Sequence, residues 1–268
     1  MSDEVLYEAA ERIARITINR PARMNTLNPP MMAELSAALL RAEADDAVSV
    51  IVLTSTGDHF GAGYDLKYDW NGHYGHDLMG MRRALKASVD FEFGPWDCAK
   101  PVIAMVRGYC LAGSCELAMM CCITFAARSA KFGEPEIRFS TAPPAMIMPW
   151  LIGLKRTREL LYTGDMIGAQ EACEAGMVNR VFDDGALEDE TVRYARRAAA
   201  ISREGLMTTK AAINRSAEVA GLREAIAYGI ETATILDCSE TEQFLQFEAV
   251  RKEQGLSAAI RWRESQFA

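Results

Sequence analysis

The sequence has no CxxC pair and no cysteine–histidine spacing of the kind that holds structural zinc, so no metal is expected. It has only three histidines and no GxSxG turn, which removes the usual signature of a nucleophilic hydrolase. No apolar run approaches the ~20 residues that cross a bilayer, and no internal repeat or low-complexity linker interrupts the chain. The opening MSDEVLYEAA lacks both the basic start and the apolar stretch of a secretion signal. Seven cysteines, an odd number that includes the adjacent Cys121 and Cys122, then read as reduced thiols serving mostly as small core hydrophobes in a soluble, cytoplasmic protein. Basic charge is also in deficit. The 29 Lys and Arg against 37 Asp and Glu leave a net charge of -8, which repels nucleic-acid phosphates and anionic membranes but still allows an anionic small ligand served by local donors.

What is present is an ordinary globular balance, 50% apolar and 25% charged over 268 residues, enough for one large domain with at most a smaller terminal piece. Two alternating segments, 5–9 and 13–18, predict a hairpin, and NRPARMNTLNPP then breaks the pattern with three prolines. Asn28 is placed to cap a helix that starts at Pro29 and carries Met31, Leu35, Ala38, Leu39 and Ala42 at helical spacing. The apolar runs 48–53 and 102–106 read as strands covered on both faces. An excursion between them carries Trp70, Trp96, His73 and His76, with a helix over 77–90. Helical periodicity follows over 149–162, 169–175, 188–200, 206–219 and 222–236, and the alternation as a whole predicts an α/β fold.

Two glycine-bearing segments follow apolar strands: HFGAGYDLK at 59–67 and GYCLAGSCELAMM at 108–120. Glycine after a strand lets backbone approach a ligand, and Gly113 opens a helical run, so its N–H is a free donor at a helix start. Such a donor is half of an oxyanion hole. Joined to NRPARMNTL, PVIAMVRGYCLAGSCELAMMC, KFGEPEIRF and LLYTGDMIGAQEACEAGMVNRVF, in this order, these segments resemble the crotonase superfamily, the enoyl-CoA hydratase and isomerase family, over nearly the whole chain.

The resemblance implies a spiral core of repeated ββα turns over residues 1–195, carrying the site for a coenzyme A thioester, and a helical region over 196–268 that builds a homotrimer or a dimer of trimers. It implies no cofactor, since coenzyme A enters with the substrate. By the same resemblance the oxyanion donors are the backbone N–H groups of Tyr64 and Gly113, and the hydratase carboxyls are Glu116 and Glu136. Arg23, Ala62, Asp65, Leu66 and Lys67 match positions along the coenzyme A moiety, and Arg251, Lys252 and Arg263 are candidates for a neighbour's. The excursion is expected to line the acyl pocket through Trp70 and Tyr74.

Several positions depart from the family pattern. Tyr64 replaces a small residue, Ala112 and Ser114 replace glycines, and Cys122 replaces an aspartate. STAPPAMIMPWLIG lacks the glycine-rich turn common after the second glutamate, and CSETEQFLQFEAVRKEQG departs from the usual acidic-glycine pattern. Residue by residue, Glu116 stands in an otherwise apolar run, where a carboxylate needs a reason. Glu136 has an ion pair within Glu134, Pro135 and Arg138 as its alternative reading. His73 and His76 read as solvated loop histidines. The expected activity is hydration of an enoyl-CoA, with a double-bond isomerase or thioester hydrolase as the alternative, and a catalytically silent acyl-CoA- or RNA-binding paralogue as the reading from another class.

Overall fold

The computed structural model describes residues 3–267. Strands β1 (Val5–Ala10) and β2 (Ile13–Ile18) form the antiparallel hairpin, paired from Val5 against Ile18 to Ala10 against Ile13. Its two turn residues, Glu11 and Arg12, both have positive φ, 52° and 65°, the backbone that matches the twist of a two-residue hairpin. Strands β3 (Val50–Ser55), β4 (Val102–Val106), β6 (Ile123–Ala127) and β9 (Arg180–Phe182) continue this sheet in parallel, in the order β1-β2-β3-β4-β6-β9. Strand β3 begins two residues later than the apolar run at 48 suggested, and all six of its residues are buried. A second sheet joins the short strands β5 (Tyr109–Leu111), β7 (Lys131–Gly133) and β8 (Ile167–Gly168).

Helix α1 (Pro29–Ala44) packs on one face of the large sheet, its start closed by Asn28 Oδ1, which accepts from Met31 N at 3.0 Å. The excursion contains α2 (Trp70–Tyr74), α3 (Leu78–Glu92) and α4 (Gly94–Asp97), with Asp77 capping α3 through Gly80 N. Helix α5 (Gly113–Met119) is wholly buried. Helix α6 (Met148–Thr163) is broken at Gly153, φ 74°, and α7 (Ala169–Ala175) matches its expected bounds. Helix α8 (Leu187–Ala199) covers the other face of the sheet, placing Leu187, Ala195 and Ala199 on Val50, Val52, Ile103 and Phe125. It runs through the position, 195, at which the core was expected to end.

The chain closes with α9 (Arg203–Val219), α10 (Leu222–Asp237), α11 (Glu242–Gln254) and α12 (Leu256–Glu264). Helix α9 starts three residues earlier than its apolar spacing suggested, because Ser202 caps it through Gly205 N. Helices α11 and α12 fold back over the core of their own chain. Phe247 meets Phe139 edge to face at 5.2 Å, and Arg138 binds Glu264 at 2.7 Å. Arg263 donates to the Arg138 carbonyl, and Arg251 to the Leu66 carbonyl at 3.3 Å, so both reach into their own subunit, whereas Lys252 is exposed. Cys98, Cys110, Cys115 and Cys121 are buried as expected, while Cys122 and Cys238 are exposed. No helix among the described residues is long and apolar enough to cross a membrane.

Candidate active site

The two glycine segments lie side by side. Gly61 N donates to the Tyr109 carbonyl and Leu111 N to the Gly61 carbonyl, each at 3.0 Å, so residues 61–64 run parallel to 110–113. At the far end of this pairing, Ala112 takes φ 52° and ψ -139° and turns the chain from β5 into α5. Its own N–H is held by the Gly133 carbonyl at 2.9 Å. Gly63, at φ 81°, packs so closely on this turn that a Cβ there would lie 2.6 Å from Ala112 Cβ and 3.5 Å from Gly113 N. The N–H groups of Tyr64 and Gly113 follow, and neither finds an acceptor among the described residues. Two unsatisfied donors on adjoining loops suit an oxygen that gains negative charge.

Glu116 projects from α5 and is 1% exposed; its Oε1 accepts from Ala145 N at 2.8 Å, and its Oε2 has no hydrogen-bond partner. Glu136 lies in the 3-10 turn Pro135–Phe139, half-buried, with Oε2 sealed from solvent and likewise unpartnered. Glu134, on the approach to that turn, is 1% exposed and neither of its oxygens has a partner. One oxygen from each of the three lies within 4.8 Å of the other two. Carboxylates so close and so dry either take up a cation or carry protons. Burial pushes the Glu116 carboxyl well above the usual carboxylate range, and the charges of Glu92 and Glu136 push it further. Glu134 is raised in the same way, by burial first and then by Glu136, while Glu136, raised by burial, reaches about 7. The arrangement therefore gathers three carboxyls that all hold their protons more tightly than in water, Glu136 with a pKa of about 7.

The Arg138 side chain does not pair with these glutamates. It binds Asp165 at 2.6 Å and Glu264 at 2.7 Å, which leaves Glu136 facing the cluster and sets aside the ion-pair reading. Of the residues matched to coenzyme A, Arg23, Leu66 and Lys67 are exposed and Ala62 is half-buried, its N–H bound to the Met24 carbonyl beside Arg23 at 3.1 Å. Asp65 is buried in an ion pair with Arg20 at 2.9 Å and also accepts from Lys67 N, so its carboxylate shapes the loop. Trp70 donates to the Asp65 carbonyl at 2.9 Å, meets the Tyr64 ring edge-on at 5.5 Å and stacks on Tyr74 at 6.1 Å, which forms an aromatic wall beside the 61–64 loop. His73 and His76 are exposed.

The model of the enoyl-CoA hydratase/isomerase family matches residues 8–243. The chain belongs to that family. It is 37% identical over 224 residues to a probable enoyl-CoA hydratase of Rhizobium meliloti, covering 81% of this chain and 83% of that one. It is 33% identical over 249 residues to a crotonyl-CoA hydratase of Syntrophomonas wolfei, covering 87% and 91%. The crystal structure of an enoyl-CoA hydratase/isomerase from Xanthobacter autotrophicus superposes over 100% of both chains with a TM-score of 0.95 at 38% identity. The α/β crotonase fold with its C-terminal helices is thus the fold of this chain.

Within this family fold, two acidic residues join the site that motif matching did not single out. One is Glu134, for which burial was not foreseen. The other is Glu92, 0% exposed at the end of α3, whose Oε1 accepts from the Tyr64 hydroxyl and whose Oε2 has no partner. A signal existed for it: Glu92 stands between Phe91 and Phe93, the same apolar setting that marked Glu116. Asp237 at the end of α10 completes the acidic surroundings, raised by burial to about 7 and further influenced by Glu136.

Proposed function

We propose that the protein is an enoyl-CoA hydratase, adding water across the α,β double bond of an acyl-CoA thioester. The observation that carries this reading is the 4.8 Å limit on the separation of the Glu116 and Glu136 carboxyl oxygens. One water making two hydrogen bonds of about 2.8 Å can bridge oxygens up to ~5.6 Å apart, so a single water fits between them. Glu136, the group that ionises near neutrality, takes the proton as the water oxygen bonds to Cβ. The π electrons move toward the thioester, and the N–H groups of Tyr64 and Gly113 hold its oxygen as the enolate forms. Glu116, whose burial and neighbouring carboxylates favour the protonated form, delivers its proton to Cα. The sum is one water added, with a proton moved from Glu116 to Glu136 that must be returned before the next turnover.

In this reading exposed Arg23, Leu66 and Lys67 meet the coenzyme A moiety and the Trp70–Tyr74 wall meets the acyl group, supported by their exposure and by the stacking of the two rings beside Tyr64. No step calls for a cofactor. A homotrimer, or a dimer of trimers, is the assembly we propose, supported by large apolar side chains left in solvent on the last helices, among them Ile213, Val219, Tyr228 and Ile235. A cytoplasmic location belongs to the same reading. Incubation with a panel of α,β-unsaturated acyl-CoAs, followed by mass spectrometry, tests it. Gain of one water is the expected result. Double-bond migration without mass gain would make the protein an isomerase, release of free coenzyme A a thioester hydrolase, and binding without any product a silent acyl-CoA-binding paralogue.

A further inference from the structure

The reaction as written uses two carboxyls, yet a further one, Glu92, is buried at the end of α3 within hydrogen-bonding reach of Glu116, its Oε1 3.0 Å from where a Cβ on Gly113 would lie, and belongs to none of the motifs that mark the family. An acidic side chain with no exposed surface is costly unless its charge is shared or removed. The Tyr64 hydroxyl satisfies Oε1, but Oε2 has no hydrogen-bond partner, and neither has Oε2 of the adjacent Glu116. A proton held between these two carboxyls would satisfy both. The Tyr64 ring makes this arrangement possible: it lies across Gly113, where an added Cβ would meet Tyr64 Cε2 at 2.3 Å, and so carries the hydroxyl from the oxyanion loop to α3. One residue therefore links the oxyanion donor, through its backbone, to the acid, through its side chain.

We propose that Glu92 is a positioning residue for the chemistry at Glu116, sharing a proton with it and anchored in turn by the hydroxyl of Tyr64. This rests on the hydratase reading for its role in turnover, but not for the existence of the shared proton. When Glu116 gives its proton to Cα, the Glu92 carboxyl beside it raises the affinity of Glu116 for the next proton and speeds its return to the acid form. Burial pushes the Glu92 carboxyl up to about 8; hydrogen bonds from Tyr64 and Glu116 act against that rise, and the charge of Glu136 adds to it. The cations of α3 point elsewhere, Arg82 to Glu231 of α10, Arg83 to the Tyr74 carbonyl and Lys86 to Asp90. Asp97 of α4 is held by Arg223, His73 of α2 by Tyr68, and Arg41 of α1 lies over the Tyr7 ring. Asp237 of α10 lies nearer to Glu136.

The test is Glu92→Gln with Tyr64→Phe as its companion, which keeps the backbone N–H. Removing the negative charge of Glu92 lowers the pKa of Glu116, and because the protonated form is the acid, the alkaline limb of the kcat profile should move at least one unit to lower pH. Turnover near neutrality should fall about tenfold with KM nearly unchanged. Tyr64→Phe should lower kcat severalfold, also without raising KM, and Glu92→Asp should restore the alkaline limb in part. Infrared difference titration of the carboxyl groups reads the same pair without turnover, and should show the proton that the pair shares being lost at lower pH in Glu92→Gln. Unchanged pH profiles and unchanged carboxyl titration in folded Glu92→Gln would overturn the proposal, as would a wild-type carboxyl titration in Tyr64→Phe should the glutamine variant not fold. A protein that hydrates no acyl-CoA yet shows the infrared change refutes the hydratase reading and keeps the pair.

Discussion

The Cβ of Ala112 stands 2.6 Å from the place a Cβ on Gly63 would occupy, and Ala112 itself sits at φ 52°, ψ -139°. Crowding and a positive φ thus make glycine necessary at 63, while its own φ/ψ strains alanine at 112. Gly63→Ala should cost about 1–3 kcal/mol, through its positive φ and the contact together, and should displace the Gly113 N–H enough to lower kcat. Ala112→Gly should stabilise by about 1 kcal/mol. Thermal or urea unfolding of the two single variants and the pair checks this, with Gly63→Ala expected to cost less when Ala112 is already glycine.

Glu116→Gln and Glu136→Gln preserve shape and remove an ionisable proton, so each should reduce turnover about 10² to 10⁴-fold while acyl-CoA binding changes little. Because the two act on one water, the double variant should lose much less than the product of the single losses. Steady-state kinetics with binding measured separately decides it, and near-normal hydration in both folded single variants would remove the mechanism.

Activity should fall as pH drops through about 7, where Glu136 takes up a proton and ceases to be a base. Stability has the opposite sense. Glu134 has a folded pKa raised above its unfolded value, so the folded state binds more protons above about pH 4.3 and stability declines as pH rises toward the folded pKa. Glu134→Gln removes this decline. Its melting temperature relative to the native protein should therefore rise steadily from acid to alkaline pH, as calorimetry would show.

Trp70→Ala should change relative rates across a series of acyl-CoAs, since the indole both meets Tyr64 and braces the Asp65 carbonyl. A uniform loss of activity with lowered melting temperature, and no change of preference, would reduce Trp70 to a packing residue.

Exhaustive chelation should leave hydration intact, because protons rather than a cation offset the charge of Glu116, Glu134 and Glu136 in this reading. Loss of activity on chelation, restored by one divalent cation, would assign the three carboxylates to a metal instead.

By itself the sequence determined what short-range physics controls. The alternation of β1 and β2, the Asn28 cap, the apolar runs of β3 and β4 and the helical spacing from α6 onward are all set by residues within a few positions of one another. The glycine loops and the positions of Glu116 and Glu136 were legible through motif order. Tertiary structure alone decided which charges meet. Arg138 chose Asp165 and Glu264 over its sequence neighbours, Arg20 claimed Asp65 from 45 positions away, and Tyr64 reached Glu92 across 28. A carboxyl is paired with a cation, bonded to a phenol or forced to keep a proton according to what packs against it, and those partners come from elements that only the folded chain brings together.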